Sequence, residues 1–301
     1  VAHDTHTTSF AHKELDAFGA KGLARLVKNW EDPFPAPIVD AMALSDGRRI
    51  RVVRDDLLRL GTKIRACSAL LHGRKDVETL VYVAPRAGWA PISLAAMGQR
   101  LNKKVILFCP AAKELSHHQR CAYELGAELR FVRVAAMPVL QGYARQFAEQ
   151  DQRKMFIPLG LADPVAVAGI AKVAKGLKLR NVKQVWSVIS TGVLSRGLQV
   201  AWPDADHRAV AVARNIKEGE RGIISEIYNH PRRFLQDAQK DERPPFPSVT
   251  NYDAKSWVYI LAYAEDNAVF WNVAGDIKMK FSRQVPASDR QWGDLSDLRR
   301  A

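Results

Sequence analysis

Short unbroken apolar runs alternate along this chain with segments whose apolar residues recur every three or four positions. Residues 11–30 carry Leu15, Phe18, Leu23, Leu26 and Val27 at helical spacing and predict a first helix. The stretch Asp32-Pro33-Phe34-Pro35-Ala36-Pro37 then stops it, because proline cannot continue a helix. Strand-like runs follow at 50–53, 80–84, 104–109, 128–134, 185–189 and 209–213. Helical patterns fall between or after them at 64–71, 91–101, 116–125, 138–150, 165–177, 194–201 and 254–264. Continuous apolar strands alternating with helices predict an α/β fold whose open, mostly parallel twisted sheets are covered by helices on both faces. Residues 237–247 are rich in charge and proline and predict an exposed loop; residues 282–301 predict a polar tail or a partner-binding arm.

Composition narrows this picture. A chain of 301 residues with 47% hydrophobic content has enough core for two packed lobes. No apolar run reaches the roughly 18–20 residues of a membrane span, and the start lacks the basic and apolar regions of a secretory signal. The three cysteines, Cys67, Cys109 and Cys121, form no CxxC pair, which fits a reducing cytoplasm and no disulfide framework. His117-His118 has no metal-ligand spacing, so no metal site is expected, and Cys121 reads as a small buried hydrophobe. The net charge of +13 favours polyanionic partners, although the basic residues are dispersed and no nucleic-acid-binding motif accompanies them.

Two places carry candidate chemistry. Lys63 follows an apolar strand and an Arg54-Asp55-Asp56 turn, with Gly61 two residues before it and a helical segment after it. A lysine just before a helix N-terminus lies near the positive end of the helix dipole, which disfavours its charge. An amine with a lowered pKa serves as a nucleophile in Schiff-base chemistry. The second place is Ser190-Thr191-Gly192-Val193-Leu194-Ser195, which leaves an apolar strand and opens a helix. Backbone N–H groups at such a start form an anion site, and Thr191 and Ser195 add hydroxyl donors. The turn is neither a Walker loop nor a GxGxxG fingerprint.

Together these segments resemble the signatures of pyridoxal-phosphate enzymes with the tryptophan-synthase-β fold, fold type II. The similarity is to the branch of aminocyclopropane-carboxylate deaminase and D-cysteine desulfhydrase. Arg54-Asp55-Asp56-Leu57 with Gly61-Thr62-Lys63-Ile64-Arg65 is similar to its lysine motif, and Phe156-Ile157-Pro158-Leu159-Gly160 with 164–169 to its IPxGG segment. Residues 190–198 stand at its phosphate cup, and Asn251-Tyr252-Asp253-Ala254-Lys255-Ser256 at its VYTGKA motif. The four matches run in family order over about residues 50–275.

The resemblance implies a two-lobed fold, with a large cofactor-binding domain (1–62 and 151–301) and a small inserted α/β domain (63–150). It implies pyridoxal 5'-phosphate held by Lys63 as a Schiff base, with Lys63 then carrying a proton at the substrate α-carbon. Ser190, Thr191, Gly192, Val193, Leu194 and Ser195 would hold the cofactor phosphate, with a valine at 193 where the family has glycine. Tyr252 would lie beside the ring or the substrate and Asn272 near the pyridine nitrogen; a homodimer is the family expectation.

One loop departs from the family. Its asparagine-containing carboxylate loop is here Ala84-Pro85-Arg86-Ala87-Gly88-Trp89-Ala90-Pro91. Arg86 can pair a carboxylate or phosphate, and Trp89 can stack on a base or on the cofactor. With the basic charge, this change predicts an amino-acid moiety carried on something large and anionic. Phage-encoded relatives in thymidine hypermodification decarboxylate such a moiety on DNA, which would place the protein in the cytoplasm of an infected host. A deaminase or desulfhydrase of small amino acids is the second reading, and a non-catalytic DNA-binding protein on the same fold the third.

Overall fold

The six-stranded sheet that leads into the helix of Lys63 draws its strands from both ends of the chain. The computed structural model describes residues 9–112, 114–133 and 136–282. They fall into two compact units, with divisions after Leu70, after Leu161 and after Ile277.

In the first unit the sheet contains β1 (Val39–Ala43), β2 (Arg49–Arg54), β7 (Gln184–Ile189), β8 (Asp206–Ala211), β9 (Ile224–Asn229) and β10 (Ala268–Asn272), in the order β1-β2-β10-β7-β8-β9. Only β1 runs antiparallel, pairing with β2; every other neighbouring pair is parallel. The last strand therefore inserts between β2 and β7. Its register pairs Asn272 with Arg54 and Phe270 with both Val52 and Trp186. All five β10 residues are buried, as a central parallel strand requires. One face packs Ile50, Val52, Trp186, Val188, Val210, Phe270 and Ile260 into a single core.

Helices of this unit are α1 (Ser9–Leu26), α2 (Gly61–Leu71), α6 (Pro164–Gly176), α7 (Val193–Ala201), the short α8 (Glu218–Arg221) and α9 (Trp257–Tyr263). The proline at the start of α6 suits a first helical position, and Asp163 caps it by accepting a bond from Val165 N at 2.7 Å. The second unit holds the parallel sheet β5-β4-β3-β6, made of β3 (Thr79–Val83), β4 (Lys104–Pro110), β5 (Glu128–Val132) and β6 (Lys154–Phe156). Its helices are α3 (Ala90–Arg100), α4 (His117–Glu124) and α5 (Met137–Glu149). Ser116 and Gln119 close a capping box at the start of α4.

Several boundaries differ from the sequence pattern. The first helix ends at Leu26 rather than 30 and is interrupted at Gly19, whose φ of 59° and ψ of 174° are not helical. Helix α2 starts at Gly61, so Lys63 lies inside its first turn rather than before it. A 3-10 turn (Asp253–Ser256) precedes α9 where one continuous helix was expected. The strand expected over 128–134 ends at Val132 before residues outside the described set, and that expected over 209–213 runs Asp206–Ala211. The stretch 151–161 stays with the second unit because β6 pairs with β3, and α2 stays with the first through Asp55. The tail expected over 282–301 lies, from residue 283 on, outside the described residues.

Candidate functional site

Strand β2 delivers the chain to Arg54, and the next two residues each hold a different part of the sheet's carboxyl-terminal edge. Asp55 is fully buried and receives Arg65 Nη2 at 2.8 Å, Arg65 Nε at 3.1 Å and Thr62 Oγ1 at 2.7 Å. Trp271 Nε1 donates to the same threonine oxygen at 2.8 Å. Arg65 also pairs with Asp32 and donates to the Pro35 carbonyl. Thus Asp55 ties the first turn of α2 to β10 and to the proline-rich segment. Asp56 receives both Arg54 Nε and Nη2 at 2.8 Å.

Gly61 makes this turn sterically possible. Its φ is +62°, and a Cβ there would lie 2.3 Å from the Val273 carbonyl oxygen. That carbonyl accepts Thr62 N at 2.8 Å, so the start of α2 is fastened to the end of β10. Lys63 follows, half-buried, and loss of hydration pulls its amine down to about 8, opposed by Cys67 one turn on. Burial drives the Cys67 thiol the other way, up to about 12, so it is not a thiolate.

The 3-10 turn before α9 brings two further groups, Tyr252 and Asp253, to this edge. The Tyr252 hydroxyl bonds the Ser190 side chain and lies 3.4 Å from the Val188 carbonyl oxygen; burial raises its pKa. Asp253 is fully buried; its Oδ2 accepts Val273 N at 3.1 Å, while Oδ1 has no partner among the described residues. Burial holds this carboxyl far above the ordinary range, Val273 and Ala274 N–H groups opposing it and Asp56 adding to it. Lys63, Asp253, Tyr252 and Ser190 are therefore linked through Thr62 and Val273 at the carboxyl ends of β2, β10 and β7, where ligands bind in open parallel sheets.

Asn272 is placed beside these residues but is fully engaged. Its amide donates to Asp56 Oδ1 and to the Pro247 carbonyl, each at 2.8 Å, and accepts Ser248 Oγ at 2.7 Å. Both amide hydrogens are therefore spent on Asp56 and Pro247. Asp253, directly after Tyr252, keeps an unspent oxygen among the described residues.

The turn 190–195 has the form of an anion cradle. Gly192 caps α7 with φ 78° and offers no side chain, so the first-turn N–H groups at buried Val193, Leu194 and Ser195 keep no intrahelical acceptor. Ser195 Oγ accepts Gln199 Nε2 at 3.1 Å and retains its own hydrogen for donation. Arg196 does not join this cradle; it pairs with Asp16 and the Gly219 carbonyl.

The other two candidate residues, Arg86 and Trp89, belong to the second unit. Arg86 is exposed. Trp89 precedes α3 with its indole N–H buried, and neither it nor the fully buried Ser93 hydroxyl one turn on has a hydrogen-bond partner among the described residues. Gln119 fastens this loop through the Ala84 carbonyl at 3.4 Å, and His118 packs edge-on to Trp89 at 6.3 Å. Among the described residues no group of three or more histidine, cysteine or acidic side chains could hold a metal ion. No described helix is long and apolar enough to cross a membrane.

No family model and no curated protein matches the sequence. Solved structures do match the fold. An ACC deaminase homologue superimposes with a TM-score of 0.69 at 17% identity, over 84% of this chain and 94% of that one. A serine racemase from Dictyostelium discoideum gives 0.64 at 12% identity, over 87% of this chain and 99% of that one. Diaminopropionate ammonia lyase from Escherichia coli gives 0.60 at 14% identity, over 86% and 87%. The architecture is that of fold type II, the two-domain α/β fold of pyridoxal-phosphate enzymes.

Proposed function

We propose that this chain is a pyridoxal-phosphate-dependent enzyme of the lyase type, acting at the α-carbon of an amino acid or amino-acid moiety. The carrying observation is a desolvated Lys63 amine, with a pKa of about 8, on a helical turn that Thr62 fastens to Val273, the residue whose N–H bonds the buried Asp253 carboxyl with its orphaned second oxygen. The residues fit the cofactor. Val193, Leu194 and Ser195 N–H groups with the Ser195 hydroxyl suit a phosphate, and the unpartnered Asp253 oxygen suits a protonated ring nitrogen.

When bound, the cofactor withdraws electrons from the substrate's α-carbon so that a bond there can break. Lys63 would hold it covalently, and afterwards carry a proton to or from that carbon. A pKa near 8 leaves an appreciable neutral fraction of the amine at neutral pH, as both tasks need. Asp253, whose carboxyl burial holds in its protonated form, would pass that proton to the ring nitrogen and pair with it as a carboxylate. Tyr252, tied to Ser190, would fix the wall beside the ring.

For the substrate we favour an amino-acid moiety attached to thymidine in DNA and losing CO₂. The net charge of +13 supports this, as does the replacement of the family's carboxylate-gripping asparagine loop by one with the exposed Arg86. The deciding experiment adds pyridoxal 5'-phosphate to the purified protein and presents DNA bearing an amino-acid-modified thymidine, with mass analysis of the digested nucleosides. Loss of a CO₂-sized mass, absent with Lys63→Ala, is expected. Efficient turnover of free D-cysteine or aminocyclopropane carboxylate, with no change in the DNA, would select the small-molecule reading.

A further inference from the structure

The 3-10 turn that follows Tyr252 and begins at Asp253 also grips a second loop, one that carries the arginine pair Arg232-Arg233. Lys255 on that turn is fully buried, and its Nζ donates to the Arg233 carbonyl at 2.8 Å. Phe234, the next residue, packs edge-on to Tyr252 with ring centres 6.3 Å apart. The loop 230–237 leaves the edge strand β9 and is thereby fixed against the tyrosine of the candidate site.

What the loop displays is positive charge in excess of what neutralises it. The Arg233 side chain is exposed and makes no hydrogen bond or ion pair to any described residue. Arg232 has one distant partner, Glu242, at 3.8 Å. Burial lowers the His230 pKa and the Lys255 charge pushes it the same way, against Glu242. Asp237 offsets part of the Lys255 charge and also accepts Thr250 Oγ1 at 3.0 Å. A buried lysine spent on one backbone carbonyl fixes where the Arg233 backbone stands, and leaves its guanidinium uncommitted.

We infer that the loop 230–237 is a phosphate clamp, with Arg233 taking a phosphate oxyanion of the substrate while its amino-acid part lies beside Tyr252. This rests on the reading of Tyr252 as part of an amino-acid site. Arginine suits the task because its planar fork meets two phosphate oxygens at once. The phosphate belongs to a nucleotide, either free or within a strand.

Fluorescence titration of the full chain against a thymidine oligodeoxynucleotide, single-stranded and duplex, over a range of salt concentrations tests the clamp. Arg233→Ala should weaken binding about tenfold and reduce the salt slope by about one, while Arg233→Lys keeps most of the slope. Arg180→Ala removes one equally exposed charge at the opposite end of β7 and should leave both quantities unchanged. Equal effects of Arg233→Ala and Arg180→Ala, or no binding of any probe, overturn the clamp. Thymidine monophosphate binding with the same Arg233 dependence, without oligonucleotide binding, identifies the source as a free nucleotide. Cofactor capture is read separately by visible absorbance. Its absence would sink the enzymatic reading while Arg233-dependent binding stood, and an intact band with no Arg233 effect would do the reverse.

Discussion

Gly61 and Val273 come so close that a Cβ on the glycine would lie 2.3 Å from the valine's carbonyl oxygen. The contact joins residues far apart in sequence, and it sets the direction in which α2 leaves the sheet. Lys63 is two residues further on, so the glycine governs the position of the amine.

Gly61→Ala should therefore cost about 3 kcal/mol or more, since it combines a left-handed φ with a backbone clash. Urea unfolding measures the loss. Cofactor capture at concentrations where the variant remains folded should fall as well, because any relief of the clash displaces Lys63.

The Lys63 amine should set the pH dependence of cofactor capture. Its rate is expected to rise about tenfold per pH unit below a midpoint near 8 and then level off, with no capture in Lys63→Ala. The stability consequence has a definite sign. Between about 8 and the ordinary 10.5 the unfolded chain binds the extra proton, so this lysine makes stability rise with pH across that window. Below it the full penalty applies, and Lys63→Met should stabilise the cofactor-free protein at neutral pH by about 1–3 kcal/mol.

Asp253 gives the opposite titration. Its carboxyl holds a proton in the fold at pH values where the unfolded chain has lost it. The stability it contributes is present below 3.8 and lost as pH rises through the folded-state value. Asp253→Asn should accordingly raise the Tm of the cofactor-free protein at neutral pH, yet weaken pyridoxal-phosphate binding about tenfold. A thermal melt paired with a cofactor titration checks both. A fall in Tm would show that the carboxylate is needed for folding instead.

Breaking the Asp55–Arg65 pair should be expensive because both side chains are at most 1% exposed. Asp55→Ala strips Arg65 of its bidentate partner and Thr62 of its acceptor, for an expected loss of about 3–5 kcal/mol by denaturant melt. Asp46→Ala, at the exposed Arg48 pair, is the contrast and should change stability by less than about 1 kcal/mol.

The chain's local patterns determined a good deal. Continuous apolar runs marked β2, β3, β4, β7 and β8, because parallel strands are buried on both faces. The proline and glycine positions marked where helices stop and turns tighten. Lys63 and the turn 190–195 stood out because a chemical group and its flanking glycine are adjacent in sequence.

Tertiary structure decided the rest. No local rule inserts β10 between β2 and β7, and that insertion brings Trp271 to Thr62 and Asn272 to Asp56. It also explains why Asn272 became a strut and Asp253 the group with an unspent oxygen. Whether a buried polar side chain is free depends on which donors and acceptors surround it, and here those partners come from segments some twenty to two hundred residues away. The lowered Lys63 pKa has the same origin. Its flanking residues prepared the turn, but only packing against the sheet removed the water that would have stabilised its charge.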